Sequence, residues 1–410
     1  MKFPRLHHDE TVPKIFVWSV FIVGLVVCGV AIMTFWSARV DFYNAEQPVP
    51  PPVTGPGQSK PVPPPVTPRE PSFPFETSHS AISHDIVHIV ASSSPVFAYA
   101  HGTVLADNRL FIGMANRNGN VFSSRRLVVF PDLMDLSIYD LLTLPVDGEV
   151  NTMIYDTAND MIYFAASGNG GMYIYALNPH NLGLSMLIGT TTLDLGRKPA
   201  IVTDGAYIYG ITETVPAIVF KLGIADHSLA LSREGHIKNG HSATIGLYGS
   251  STELYFGGGM YDGFEKVSAQ NLHSLGTLDL APCLISDDMP AVPIGPFDSY
   301  IYIGCESVPF GYRIRTSDLS VTQFPLPGKS LGMFSDGPYL FNAAEDGYLD
   351  LFPNHDLGTL TRYYVANDIP TENTSGQNLQ LNEIFYATST DSVYFTAWWG
   401  VPGVYQLSHL

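Results

Sequence analysis

The chain has 410 residues, 45% of them hydrophobic and 12% aromatic, which is ample for a large buried core. Its 38 acidic and 20 basic residues give a net charge of −18, a surface that repels phosphate backbones and anionic lipid, so nucleic acid is not an expected partner. Three cysteines, none in a CxxC or Cys/His spacing, exclude a zinc finger and a c-type haem.

Residues 1–14 carry Lys2, Arg5 and Lys14 and read as a cytoplasmic tail. From Ile15 to Ala38 no residue is charged. A helix needs roughly 20 apolar residues to cross the hydrocarbon core, and Trp18 and Trp36 stand where an interfacial aromatic belt would be. The basic residues precede this run, whereas Arg39 is followed by Asp41 and Glu46. The positive-inside bias therefore predicts a single-pass signal-anchor with everything after it outside the cytoplasm, periplasmic, extracellular or lumenal. A cleaved signal peptide would have an apolar region of roughly 7–15 residues and then a small-x-small site. Here the run is longer and ends in Thr34-Phe35-Trp36. Residues 39–83 follow as a linker, with twelve prolines between 48 and 74. Proline fixes φ and removes the donor that helix and sheet need, so this stretch is expected to be an extended spacer.

From residue 84 onward the pattern changes to repetition. Seven short aromatic and β-branched cores recur: Leu110-Phe111-Ile112, Ile162-Tyr163-Phe164, Tyr207-Ile208-Tyr209, Leu254-Tyr255-Phe256, Tyr300-Ile301-Tyr302, Tyr339-Leu340-Phe341 and Val393-Tyr394-Phe395. Most follow Asp, Asn or Gly, as in Asp107-Asn108, Asp204-Gly205 and Asp336-Gly337. Their spacing of about 47 residues is the size of a four-stranded propeller blade. A third strand follows each core, often opened by glycine, as in Gly171-Met172-Tyr173 and Gly347-Tyr348-Leu349. A turn with Asp or Asn then leads to a fourth strand. The seventh copy runs out at Leu410 with its third strand, and an open apolar edge is a liability. The orphan run Asp85 to Val90, just after the linker, is therefore expected to complete the last blade and close the ring.

This blade pattern resembles the seven-bladed propellers grouped around the YVTN, NHL and streptogramin-lyase or lactonase types, over residues 84–410. No WD dipeptide, kelch double glycine or tryptophan docking motif accompanies it. The resemblance implies an all-β seven-bladed ring whose ligands bind at the channel mouth, on the face shared by the inter-blade loops and the loops between second and third strands. Inter-blade segments bring Arg197, Lys198, His236, Lys238, His241, Asp287, Asp288 and Lys329 to that face. Loops within blades add Glu213, Glu306, Glu345, Asp346, Trp398 and Trp399. Opposed basic and acidic groups around a channel can bind a polar ligand, although solvated loop charges look the same in sequence. His236 and His241 with Glu213 or Glu306 could form an acid–base or metal cluster of the lyase kind. No cofactor motif is present: the runs Ser167 to Gly171 and Gly257 to Gly259 join strand to strand, and a phosphate loop needs a helix after it.

Cys283 and Cys305 lie in one repeat, in the segment entering blade five and at the end of its second strand. An oxidising exterior favours a disulfide there; two buried thiols are the alternative. The expected function is a membrane-anchored extracytoplasmic binding or assembly module, possessing protein partners in or near the membrane or belonging to a larger membrane complex. The alternative is a lactonase- or lyase-type enzyme with its site at the channel mouth.

Overall fold

The computed structural model describes residues 86–88 and 99–408, less short stretches of which 191–198 and 366–379 are the longest. The charged tail, the apolar segment 15–38 and the proline-rich linker 39–83 lie outside the described residues. No helix among the described residues is long and apolar enough to cross a membrane.

The described chain is a seven-bladed β-propeller of four-stranded antiparallel blades. Blade one is Tyr99–Ala106, Arg109–Ala115, Ser124–Phe130 and the first part of Asp140–Asp156, with a small hairpin, Arg117–Asn118 and Val121–Phe122, inserted before its third strand. Blade two takes the second part of Asp140–Asp156, then Met161–Gly168, Gly171–Leu177 and Leu184–Thr190. One continuous strand thus serves as the outer strand of one blade and the inner strand of the next. Blade three is Ala200–Thr203, Tyr207–Ile211, Ile218–Gly223 and Leu229–Glu234. Blade four is Gly240–Tyr248, Ser251–Gly258, Gly263–Ser268 and Ser274–Asp279. Blade five is Ala291–Gly295, Asp298–Gly304, Phe310–Arg315 and Val321–Pro325. Blade six is Ser330–Asp336, Tyr339–Ala344, Tyr348–Pro353 and Thr361–Tyr364. Blade seven is Gln380–Ala387, Ser392–Trp399 and Gly403–Ser408, and its outer strand is Ile86–His88 from the far end of the ring domain.

The aromatic cores form strands because each side of a blade is buried against a different neighbour. Strand side chains alternate between faces. In blade two, Ile162 and Phe164 belong to the cluster shared with blade one, while Tyr163 points into the cluster shared with blade three. A second strand sandwiched in this way has no polar face, so its core triplets are apolar throughout. Seven such clusters occupy the seven seams of the ring. Each fully buried Phe or Tyr in them contributes roughly 1.5–3 kcal/mol.

Turn chemistry matches the sequence signals. Ala106 pairs with Arg109, so Asp107 and Asn108 are a two-residue loop, and both have positive φ, 46° and 59°. That is the primed turn whose twist suits a hairpin, and Asp and Asn tolerate it better than most residues. Gly205 and Gly337 supply positive φ at the corresponding turns of blades three and six.

Candidate functional site

Strand order divides the ring into two faces. The inter-blade loops and the second-to-third-strand loops share one of them; the first-to-second and third-to-fourth turns share the other. Glu213, Glu306, Glu345 and Asp346 lie between second and third strands, and His236 and Lys329 between blades. All six belong to loops of the first kind. Arg197, Lys198, Lys238, Asp287 and Asp288 lie outside the described residues, as do the side chains of His241, Trp398 and Trp399.

Lys329 and Glu345 meet: the ammonium is 3.4 Å from the carboxylate, and the Glu345 N–H donates to the Lys329 carbonyl at 2.9 Å. Both side chains are well exposed, so the pair contributes little stability and fixes loop geometry at most. Beside it, Asp346 lies 3.2 Å from Arg362, whose Nε donates to Asp350 at 2.6 Å and whose guanidinium stacks 3.9 Å over Tyr348. Asp350 is fully buried and also accepts from Asn342 Nδ2 at 2.9 Å. Burial pushes the Asp350 carboxyl up, opposed by Arg362. Burial also works against the charge on Arg362, but the two carboxylates more than offset it and its pKa is raised.

His236 lies in the loop between blades three and four. It caps the seam between blades three and four, where its backbone N–H donates to Glu265 at 2.9 Å and its Nε2 stands 4.0 Å from the same carboxylate. Glu265 comes from the third strand of blade four, is fully buried, and accepts from Arg233 Nη2 at 2.7 Å. Glu213 and Glu306 belong to blades three and five, so an acid–base cluster of the lyase kind would have to draw on loops of separate blades. The buried charges here are paired, Glu265 across the seam between blades three and four and Asp350 within blade six, since a buried charge persists only when paired.

Cys283 and Cys305 are joined, with Cα atoms 5.0 Å apart, inside the spacing a disulfide requires. The bond ties the segment entering blade five to the end of that blade's second strand. The Glu306 N–H donates to Leu284 O at 2.9 Å, the Leu284 N–H donates to Ser307 Oγ at 2.9 Å and the Ser330 N–H donates to Cys305 O at 2.9 Å. Glu306 is thereby presented on a rigid platform.

The turn face carries a set that no sequence motif announced. Among the described residues, Asp107, Asp160 and His180 bring three ligand-type atoms within 4.8 Å of one another. They come from three turns of blades one and two. His180 Nε2 is 2.7 Å from Asp160 and 3.6 Å from Asp107, and Tyr155 donates to Asp160 at 2.8 Å. That hydrogen bond, and then the one from His180, hold the Asp160 carboxyl below its usual range; the same bond, with burial, pushes the Tyr155 phenol up to about 12. About half exposed and mutually hydrogen-bonded, the set is complete as a surface network. The same face holds seam stitches: Lys221 Nζ donates to Ala269 O at 2.9 Å, Lys266 Nζ to Thr316 O at 2.8 Å, and Arg109 to Pro179 O at 2.6 Å. Each reaches from one blade to the third-to-fourth turn of the next.

Comparison with known proteins returns no matching family model and no matching curated protein. Among solved structures, a chain in the crystal structure of the mitotic checkpoint complex aligns with a TM-score of 0.54 at 9% identity, over 89% of this chain and 100% of that one. The likeness is one of fold.

Proposed function

We propose that this chain is a membrane-anchored, extracytoplasmic assembly module, a subunit of a larger membrane complex that offers its propeller ring to a protein partner. The observation that carries the reading is the use of charge. On the inter-blade face Glu265, Asp350, Arg233 and Arg362 are spent on holding seams and loops in place, which yields a rigid recognition surface. Two further features support the location. Residues 15–38 are uncharged and long enough to span a bilayer, preceded by the basic tail. The Cys283–Cys305 bond fits an oxidising compartment.

Two measurements test this. Protease added outside intact cells or spheroplasts should release the ring by cutting between residues 39 and 83; a ring protected until the membrane is lysed contradicts the topology. In mild detergent the chain should migrate in native gels well above its own mass of 44.7 kDa plus micelle. A single-chain particle from native membranes would rule out the assembly role.

A further inference from the structure

We infer that the strand Ile86–His88 is a releasable latch: it undocks from blade seven as a local unit, opening the outer edge of that blade while the seams between blades stay packed. The latch pairs with the third strand of blade seven at three positions, Ile86 with Leu407, Val87 with Gln406 and His88 with Tyr405. The other side of that third strand pairs with its inner neighbour at six positions, Ser392 to Ala397 against Ser408 to Gly403. Outer strands elsewhere are held at more positions: six in blade two, five each in blades three, four and five, and four in blade six. The closing strand is thus the shortest outer strand among the described residues.

The strand beneath the latch has described packing of its own, within blades six and seven. Tyr405 and Leu407 are fully buried in a cluster whose described members all come from blades six and seven, including Phe341, Leu349, Ile384 and Phe395. Tyr405 stacks on Phe395 with centroids 5.5 Å apart, and Gln406 donates inward to Ser392 Oγ at 3.0 Å. The third strand therefore keeps its inner ladder and its core when the latch leaves. Elements held by few ladder bonds open at far lower free energy than core strands. The latch is also the first described element after residues 39–83. Outer strands run from the turn face toward the inter-blade face, so the upstream chain enters the latch at its turn-face end. A pull or a partner acting on that upstream segment meets the ring at the latch. This consequence for a tethered ring rests on the membrane-anchor reading; the latch itself does not.

Hydrogen–deuterium exchange on the full chain in detergent tests it, with a Cys pair at Val87→Cys and Gln406→Cys placed in a Cys28→Ser background. With the pair reduced, latch-facing amides of Gly403–Ser408 should exchange at least about tenfold faster than amides of Ser392–Trp399. Oxidising the pair should slow Gly403–Ser408 to the rate of its inner neighbour, and mild reductant should restore the difference. Equal exchange of the two strands with the pair reduced, or no response to the lock, overturns the latch. A second variant, Val87→Pro, puts a proline at the middle of the three-position ladder without any cross-link. It should speed exchange at Gly403–Ser408 and leave Ser392–Trp399 unchanged; an equal rise in both strands means that the closing strand opens only with the whole ring.

Discussion

At the level of single residues, the third-to-fourth turns show how repetition solves one local problem several times. Asn181, Asp226, Asn271, Asp318 and Asp356 each accept the backbone N–H two residues on, at 2.8, 3.1, 2.9, 2.9 and 2.9 Å. The residue after the first four has positive φ, and in three cases it is a leucine: Leu182, Leu272 and Leu319. Leucine avoids that region, so the side-chain acceptor and the seam must hold it there; Leu272 is fully packed against blade three. Asp serves at three of these positions and Asn at two, so the acceptor oxygen is the shared requirement and the charge is not. Hydrogen bonds nevertheless lower the Asp226, Asp318 and Asp356 carboxyls, from the Ser228 side chain in the first and from the Ser320 and Gly358 N–H groups in the others. A carboxyl lowered on folding adds stability above its unfolded value of 3.8 and loses it as pH falls through the folded value. Asp336 and Asp350 run the other way, because burial raises them and protonation then favours the fold. Changing Asp226, Asp318 and Asp356 together to Asn should leave the denaturation midpoint at pH 7 nearly unchanged and reduce its fall as pH drops below about 4 relative to the parent. An unchanged acid response would mean that these turns do not set it. Asp350 differs in being sealed in. Removing Arg362 strands its charge, so Arg362→Leu should cost about 3–5 kcal/mol in denaturant titration, and the double change with Asp350→Leu should recover much of it. Additive losses would show the two residues act independently.

At the level of elements, the disulfide of blade five is the clearest test of how loops are held. It closes a loop with a sequence separation of 22. The chain-entropy model gives about 3 kcal/mol for such a loop, so Cys283→Ala with Cys305→Ala should lower stability by about that amount. The backbone bonds from Glu306 to Leu284 and from Ser286 to Gly304 should keep the segment in place, so the folded exchange pattern should change only locally. A loss near zero would mean that the strands alone fix the platform. Strands, turns and their blade phasing were legible because seam packing imposes apolar triplets and hairpins impose Asp, Asn and Gly. The continuous strand Asp140–Asp156 was not, since Pro145 and Gly148 within it look like breaks. Legibility of the site was poorer. Loop topology put Lys329 and Glu345 on one face, and they pair, but the decisive partners Glu265 and Asp350 lie inside third strands. A signal existed: a lone acidic residue amid an apolar strand, as in Phe264-Glu265-Lys266-Val267 or Leu349-Asp350-Leu351, must find a partner if the strand is buried. Sequence does not say which strand supplies the arginine: Arg233 reaches Glu265 from blade three, whereas Arg362 reaches Asp350 from the outer strand of its own blade.

At the level of the whole molecule, a ring has no privileged centre. Each blade contributes to two seams, so seven clusters of similar make-up share the stabilisation and none can be lost without opening its neighbours. The chain passes from blade seven to blade one through the outer strand Ile86–His88, and the break in covalent continuity lies inside blade seven, where the pairing of that strand with Gly403–Ser408 closes the ring. Two truncations separate the ring from what precedes it. A fragment of residues 84–410 should melt at the temperature of the full chain, because the ring described here is complete from Ile86 onward. Removing residues 84–90 as well deletes three ladder positions, worth about 3 kcal/mol at about 1 kcal/mol each. For a domain of this size that is a fall of roughly 5 °C, with a cooperative transition retained because the seam clusters persist. Calorimetry on both fragments decides the matter. A comparable fall already in the 84–410 fragment would place upstream residues within the ring's stabilising contacts, and no fall on losing 84–90 would remove the closing strand from them.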